Sequence, residues 1–299
     1  MARPAPIGCS AVIRFAAALL VAMVCTATAG ATSAGWGATK LPRPAFPRTA
    51  AVKPAPPGAP RLVLVSSRRN AVTDVADWFA RNDLMLREYA VPDSFRLGPA
   101  LPALPARVPT SIPYGDARIV RAIRQQRALL LVYGSDFSDG RYLACAEPAS
   151  LRFTCGFDLV NFGTAPGTTP GEGGFFQGVV WAAQVGGVLY VANAHRTYAS
   201  SSHGLNAYLT AIDLKRRRVL WRNGPLLANG TTFEVVGNLV VSGYGFTAEP
   251  DFLYLIDRRD GKVIQRLALP SAPEYIVRQG RQIFVRTYDH DVVVELRAG

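Results

Sequence analysis

The feature that most constrains this chain is a rhythm that returns roughly every forty residues. "YLTAIDLKRRRVLW" (Tyr208–Trp221) is echoed by "FLYLIDRRDGKVIQ" (Phe252–Gln265). Laying Ala211-Ile212-Asp213 on Leu255-Ile256-Asp257 places a turn position four residues past each acid, Arg217 in one copy and Gly261 in the other. Trp221 and Gln265 follow four residues further on. A third copy closes the chain: Val293-Val294-Glu295, then Gly299 four residues past the acid. The three acids are 44 and 38 residues apart. Such a period belongs to units that cannot bury both apolar faces alone and therefore stack on one another.

The lead-ins repeat as well. "VGGVLYVAN" (Val185–Asn193), "VGNLVVSGY" (Val236–Tyr244) and "QGRQIFVRTY" (Gln279–Tyr288) each put a Gly turn before an apolar strand. From Ala128 to the end, short runs rich in Val, Ile, Leu, Tyr and Phe alternate with Gly, Asn and Ser turns. A half-buried pleated surface has that composition. "LLLVYGSDFSDGRYLACAE" (Leu129–Glu147) reads as a degenerate earlier copy. Four units are countable after residue 127. The expected fold is all-β: propeller-like repeats of antiparallel blades over 127–299, preceded by a small irregular region with one or two short helices.

The unit resembles the quinoprotein-type (PQQ-like repeat) β-propeller: Gly turn, strand, turn, "lyAlD", Thr-Gly turn, "kvlW". The resemblance covers about Val185 to Gly299. It implies structural roles for Asp213, Asp257 and Glu295 at the turns, for Gly261 in the turn, and for Trp221 as packing between blades. Arg216-Arg217 stands where the family has Thr-Gly, and Gln265 where it has Trp. Cofactor-bearing relatives carry adjacent cysteines and a calcium site. Here Cys145 and Cys155 are not adjacent and no second acidic cluster is evident, so no cofactor is expected.

Ahead of the repeats the chain changes character twice. Residues 1–29 read as a signal peptide: Arg3 and Arg14 precede an apolar run from Phe15 to Cys25, and Ala27-Thr28-Ala29 suits cleavage. The mature chain is then expected to be secreted or periplasmic. Residues 30–60 read as a Pro-rich basic linker, an extended tether in "KLPRPAFPRTAAVKPAPPGAPR" (Lys40–Arg61). Residues 61–126 form an α/β lead-in, with a strand at Arg61–Ser66, a helix over Thr73–Asp83 capped by Thr73 or Asp74, and a second helix over Gly115–Arg127. The formal net charge is +12, and no Asp or Glu precedes Asp74. That basic tail suits an anionic surface. Nothing in it reads as a nucleic-acid module.

Chemistry-bearing residues are sparse. Export makes Cys145 and Cys155 a disulfide pair. There are three histidines: His195 and His203 in "AHRTYASSSHG", and His290 in "TYDHDV". They are too dispersed to hold a metal, so no metal is expected. The leading expectation is an exported, non-enzymatic binding or scaffold protein contacting a protein or glycan of the cell envelope. Candidate contact residues are Arg196, Tyr198, His203, Tyr244, Phe246, Tyr288 and His290, since aromatics and Arg anchor interfaces. The alternative is a hydrolase or lyase of extracellular polymer with His195, His203 or His290 as acid or base.

Overall fold

In the computed structural model, which describes residues 37–92, 98–168 and 176–299, the repeats form four sheets. The expected signal peptide and the tip of the Gly-rich stretch Phe162–Phe176 lie outside the described residues. In chain order come β1 (Thr39–Lys40), β2 (Arg61–Arg69), α1 (Val75–Arg81) and β3 (Glu88–Tyr89). The first blade follows as β4 (Arg118–Arg124), β5 (Leu129–Gly134), β6 (Tyr142–Ala146) and β7 (Phe153–Asp158). After the short α2 (Val160–Gly163), the second blade is β8 (Gly178–Val185), β9 (Val188–Ala194), β10 (Tyr208–Asp213) and β11 (Arg218–Asn223). The third is β12 (Glu234–Val236), β13 (Leu239–Tyr244), β14 (Phe252–Asp257) and β15 (Val263–Ala268). The fourth takes β16 (Pro273–Gln279), β17 (Gln282–Thr287) and β18 (His290–Arg297) from the C-terminus, and β2 as its outer strand.

This is an all-β, propeller-like architecture. Within each blade neighbouring strands run antiparallel, as consecutive strands joined by hairpins do. The pairing of β2 with β18, from Arg61 opposite Arg297 to Arg69 opposite His290, ties the two ends of the repeat region into one sheet. Tyr275 of β16 lines one cavity with Val120 and Arg121 of β4, and Trp78 and Phe79 of α1 pack on its ring, so the fourth blade faces the first.

The acid rhythm explains how each blade turns at its lower end. Asp213 Oδ1 accepts the N–H groups of Lys215 and Arg216, both at 2.9 Å, and Asp257 Oδ1 accepts that of Arg259 at 2.9 Å. The residue after each acid donates its N–H to the facing hairpin: Leu214 to Gly187, Arg258 to Asn238, Leu296 to Arg281. Gly261 is left-handed (φ 73°), and Arg217 holds the same conformation at φ 49°. Glu147 in the first blade repeats the backbone pattern of Asp257: it donates to Arg152 and accepts from Leu151, itself left-handed at φ 58°. Trp221 packs against Gly261 of the next blade and donates from its indole N–H to Arg258 O at 3.0 Å.

Three expectations for the region before the repeats are corrected. The proposed helix over Gly115–Arg127 is the strand β4. Its arginines do not form one solvated face, because a bulge between Ile119 and Arg121 turns Arg121 inward. There it pairs with Glu88 of β3 at 2.7 Å, both side chains 3% exposed. Buried Arg needs such a counter-charge, and two residues of strand β3 exist to supply it. The helix over Thr73–Asp83 is present as α1, but Asp74 does not cap it with its side chain. Its carboxylate instead pairs with Arg81 and with Arg286, whose side chain is 0% exposed and also pairs with Asp291.

The third correction concerns the Pro-rich stretch, which is a strap rather than a free tether. Thr39–Lys40 pair in parallel with β7 of the first blade. Phe46 packs edge-on against Tyr208 of the second, whose hydroxyl donates to Pro47 O at 2.8 Å. Lys53 donates its N–H to Val263 O of the third, Val263 donates back to Ala51 O, and the Lys53 ammonium pairs with Asp257 and Asp260. The strap then becomes β2 of the fourth. Three amide side chains, one from the end of each of the first three blades or the helix after it, hold it. Asn161 donates to Leu41 O, Asn223 both accepts from and donates to Ala51, and Gln265 does the same with Leu62. Gln265, a departure from the family's Trp, is therefore a backbone clamp. Prolines suit a path that needs few N–H donors.

Candidate functional site

The upper end of the molecule is built from the loops joining the second and third strands of each blade, and from the connections between blades. These loops do not repeat in sequence. Between the second, third and fourth blades they enclose an open cavity of about 550 Å³. His195, Arg196, Phe246, Asp251, Glu274 and Tyr288 are among its lining residues. Asn229 fixes the wall: its amide donates to Gly245 O and accepts from Gly245 N–H, joining a blade connection to a neighbouring loop.

Each of the four loops at this end carries one aromatic residue. Phe137 lies between β5 and β6, Tyr198 between β9 and β10, Phe246 between β13 and β14, and Tyr288 between β17 and β18. Phe137, Tyr198 and Tyr288 are 64%, 45% and 55% exposed. Tyr198 and Phe246 meet edge-to-face with centroids 5.0 Å apart, and the Arg196 guanidinium lies over the Phe137 ring at 5.2 Å. Phe246 is half-buried, and the other three expose apolar ring surface to water at equivalent places on one face.

Two carboxylates in the cavity stand apart from the others. Asp74, Glu88, Asp158, Glu234, Asp257 and Asp291 each pair with an Arg or Lys. Asp251 and Glu274 have no side-chain hydrogen bond or ion pair among the described residues, and Asp251 Oδ1 is buried without a partner. Asp251 packs against Gly245, where a Cβ would lie 2.1 Å from its Oδ1. Burial, then the negative charges of Asp289 and Glu249, push the Asp251 carboxyl up to about 6. Burial also raises Glu274, against the pull of Arg286. Glu249 and Asp289 are engaged locally. Glu249 accepts from Ala199 N–H and the Tyr244 hydroxyl, and Asp289 accepts from the Ser271 hydroxyl and pairs with His290 Nδ1.

The sequence-proposed residues divide on this geometry. Arg196, Phe246 and Tyr288 line the cavity, and Tyr198 borders it through Phe246. Tyr244 is 1% exposed, its hydroxyl spent on Glu249 and pushed well above the usual range by burial. His203 is exposed, in the left-handed position that ends the 3₁₀ turn Ala199–Ser202. His290 lies on the fourth blade against Asp289. The histidines are not brought together. His195 borders the cavity but is buried. Its Nε2 meets Ser202 Oγ at 2.7 Å and its Nδ1 meets Thr197 Oγ1 at 3.1 Å. Burial draws it down to about 4, which keeps it neutral at pH 7. Cys145 and Cys155 form a disulfide between β6 and β7. No group of three His, Cys, Asp or Glu able to hold a metal occurs among the described residues.

Sequence reasoning missed Asp251, Glu274 and Asn229. One signal could have found the first: from Asn223 to Asp257 there is no Lys or Arg, in a chain of net charge +12. A carboxylate in that stretch has no local cation. What the cavity offers chemically is two unneutralised carboxylates beside aromatic faces, a setting that favours a cation.

No protein-family model matches the chain, and no curated protein does. Solved structures similar to it include the computationally designed Ika4 protein, at 9% identity and a TM-score of 0.39, covering 62% of this chain and 95% of that one. BamB from Moraxella catarrhalis has 11% identity and a TM-score of 0.31, covering 79% of this chain and 100% of that one. The Myceliophteria thermophila Cps50 (Swd1) β-propeller domain has 10% identity and a TM-score of 0.38, covering 60% of this chain and 54% of that one. These are likenesses of fold. The class defined here is a β-propeller with an aromatic-rimmed, acid-lined upper cavity.

Proposed function

We propose that this chain is an exported binding or scaffold propeller, built from diverged quinoprotein-type repeats, which holds a protein partner of the cell envelope against its upper end. The observation that carries this reading is the placement of Phe137, Tyr198, Phe246 and Tyr288, one per blade, in equivalent loops at one face. Aromatic side chains in a shared patch supply the anchors that interfaces use. The buried, neutral His195 and the separation of the histidines between two blades speak against the hydrolase reading.

The test is cross-linked affinity purification of the tagged mature chain from the cell envelope. The comparison is with a variant carrying Phe137→Ala, Tyr198→Ala, Phe246→Ala and Tyr288→Ala, whose fold is checked by circular dichroism. A stoichiometric protein that survives high salt with the parent chain and is lost with the variant supports the reading. Equal recovery with both places the interface elsewhere, and recovery of the chain alone from both argues against a protein partner.

A further inference from the structure

The buried and half-buried carboxylates among the described residues follow one rule with one exception. Each is given a donor: an Arg or Lys in most cases, as with Glu88 and Arg121, or hydroxyl, backbone or His donors, as with Glu249 and Asp289. Leaving a carboxylate desolvated and unneutralised costs free energy, so folded chains avoid it unless something else supplies the charge. Asp251 and Glu274 are the exception, and they occur in the same cavity. They belong to different blades, Asp251 entering β14 of the third and Glu274 within β16 of the fourth.

The surroundings sharpen this. Glu249 and Asp289 add negative potential at Asp251 without adding a cation. Among the described lining residues the one guanidinium, that of Arg196, lies over the Phe137 ring, and Arg286, which pulls on Glu274, is paired with Asp74 and Asp291. His195 is neutral. Phe246 and Tyr288 line the cavity, and a desolvated cation is attracted to the faces of such rings.

We propose that this cavity receives a cationic side chain, the guanidinium of an arginine or the ammonium of a lysine, projecting from the partner protein. Asp251 and Glu274 neutralise it and the aromatic rim packs its aliphatic stem. The occupant is a basic segment of a protein, since the rim aromatics offer contact area well beyond one side chain. This inference rests on the binding reading given above.

The test uses the full chain and peptides of stated chemistry. Acetyl-Gly-Gly-Arg-Gly-Gly-amide and its lysine counterpart are compared with the same peptide carrying citrulline, which keeps the shape of arginine and removes the charge. Binding is followed by calorimetric titration. The arginine peptide is expected to bind about tenfold or more tighter than the citrulline peptide. Asp251→Asn and Glu274→Gln are each expected to narrow that gap, and the double variant to abolish it. Both substitutions remove an unpaired carboxylate, and thermal unfolding of each variant confirms that it is folded. Equal binding of arginine and citrulline peptides, absence of binding to the parent chain, or an arginine preference untouched by the double variant overturns the inference. A partner lost with the aromatic variant but kept by the double carboxylate variant also overturns it, and leaves the binding reading standing. A partner indifferent to the aromatics sinks that reading instead.

Discussion

Asp251, the residue just before β14, and Asp257, its last residue, have opposite surroundings. Asp257, at the lower end, is ringed by donors: Arg259 through both side chain and backbone, and Lys53 from the strap. Those hydrogen bonds, that from the Arg259 side chain foremost, hold its carboxyl far below the usual range. Asp251, at the upper end, has none, and burial raises it to about 6. The lower end is where the repeat closes its turns, and its charges are consumed by the fold. At the upper end, where loops vary, the Asp251 charge is left unpaired, although Asp74 and Asp291 there are held by Arg286. The two ends of this one strand therefore separate an acid spent on the fold from one left to the cavity.

Three substitutions can break or sharpen that contrast. The largest effect is expected from Arg286→Ala, which strips the cation from Asp74 and Asp291 and shows what a paired acid at the upper end is worth. Removing one partner of a buried network costs about 3–5 kcal/mol, read as a shift in the denaturant midpoint. Asp257→Asn comes next, at about 2 kcal/mol lost near neutral pH, since charge-assisted hydrogen bonds to the turn and strap are weakened. A carboxyl with a depressed folded pKa stabilises above its unfolded value of 3.8 and ceases to as the pH falls toward the folded value. The difference between the parent chain and Asp257→Asn should therefore shrink on acidification below pH ~4.

Asp251→Asn is the smallest and has the opposite sign. Its folded pKa, about 6, lies above the ordinary carboxyl value of 3.8, so ionisation disfavours the fold. Stability from this group is full below that lower value and is lost as the pH climbs through the higher one. The substitution should stabilise the chain at pH 7 by at most about 1 kcal/mol once solvent screening is allowed for, with little difference at pH ~4. Thermal unfolding at the two pH values checks it. Glu249, Asp289, Glu274, His195 and Arg196 surround the same cavity, so the comparison is made on Asp251→Asn against the parent chain under identical buffers.

The same contrast explains how much of the molecule was legible in the sequence. The blades were, because Asp213, Asp257 and Glu295 recur with the turns they serve, and a recurring pattern needs no knowledge of what packs against it. The disulfide pair was legible as well. The strap was not, because prolines and a lack of periodicity look the same in a free tether and in a chain clamped by Asn161, Asn223 and Gln265. Nor was β4: Arg118, Arg121 and Arg124 at intervals of three imitate a helical face, and the bulge that makes them a strand leaves no mark in the sequence. Arg196, Phe246 and Tyr288 could be chosen as loop aromatics and Arg. Asp251 and Glu274 could not be joined to them, because the cavity takes its walls from three blades and no spacing relates them.

The most direct test of the binding account is site-specific photo-cross-linking in cells. A photoreactive phenylalanine analogue replaces Tyr288 at the upper end or Arg217 at the lower end, both at exposed positions. A discrete protein adduct from position 288, absent from position 217, is the expected result. An adduct from position 217 alone, or the same adducts from both, would contradict the assignment of the upper cavity as the place where this propeller does its work.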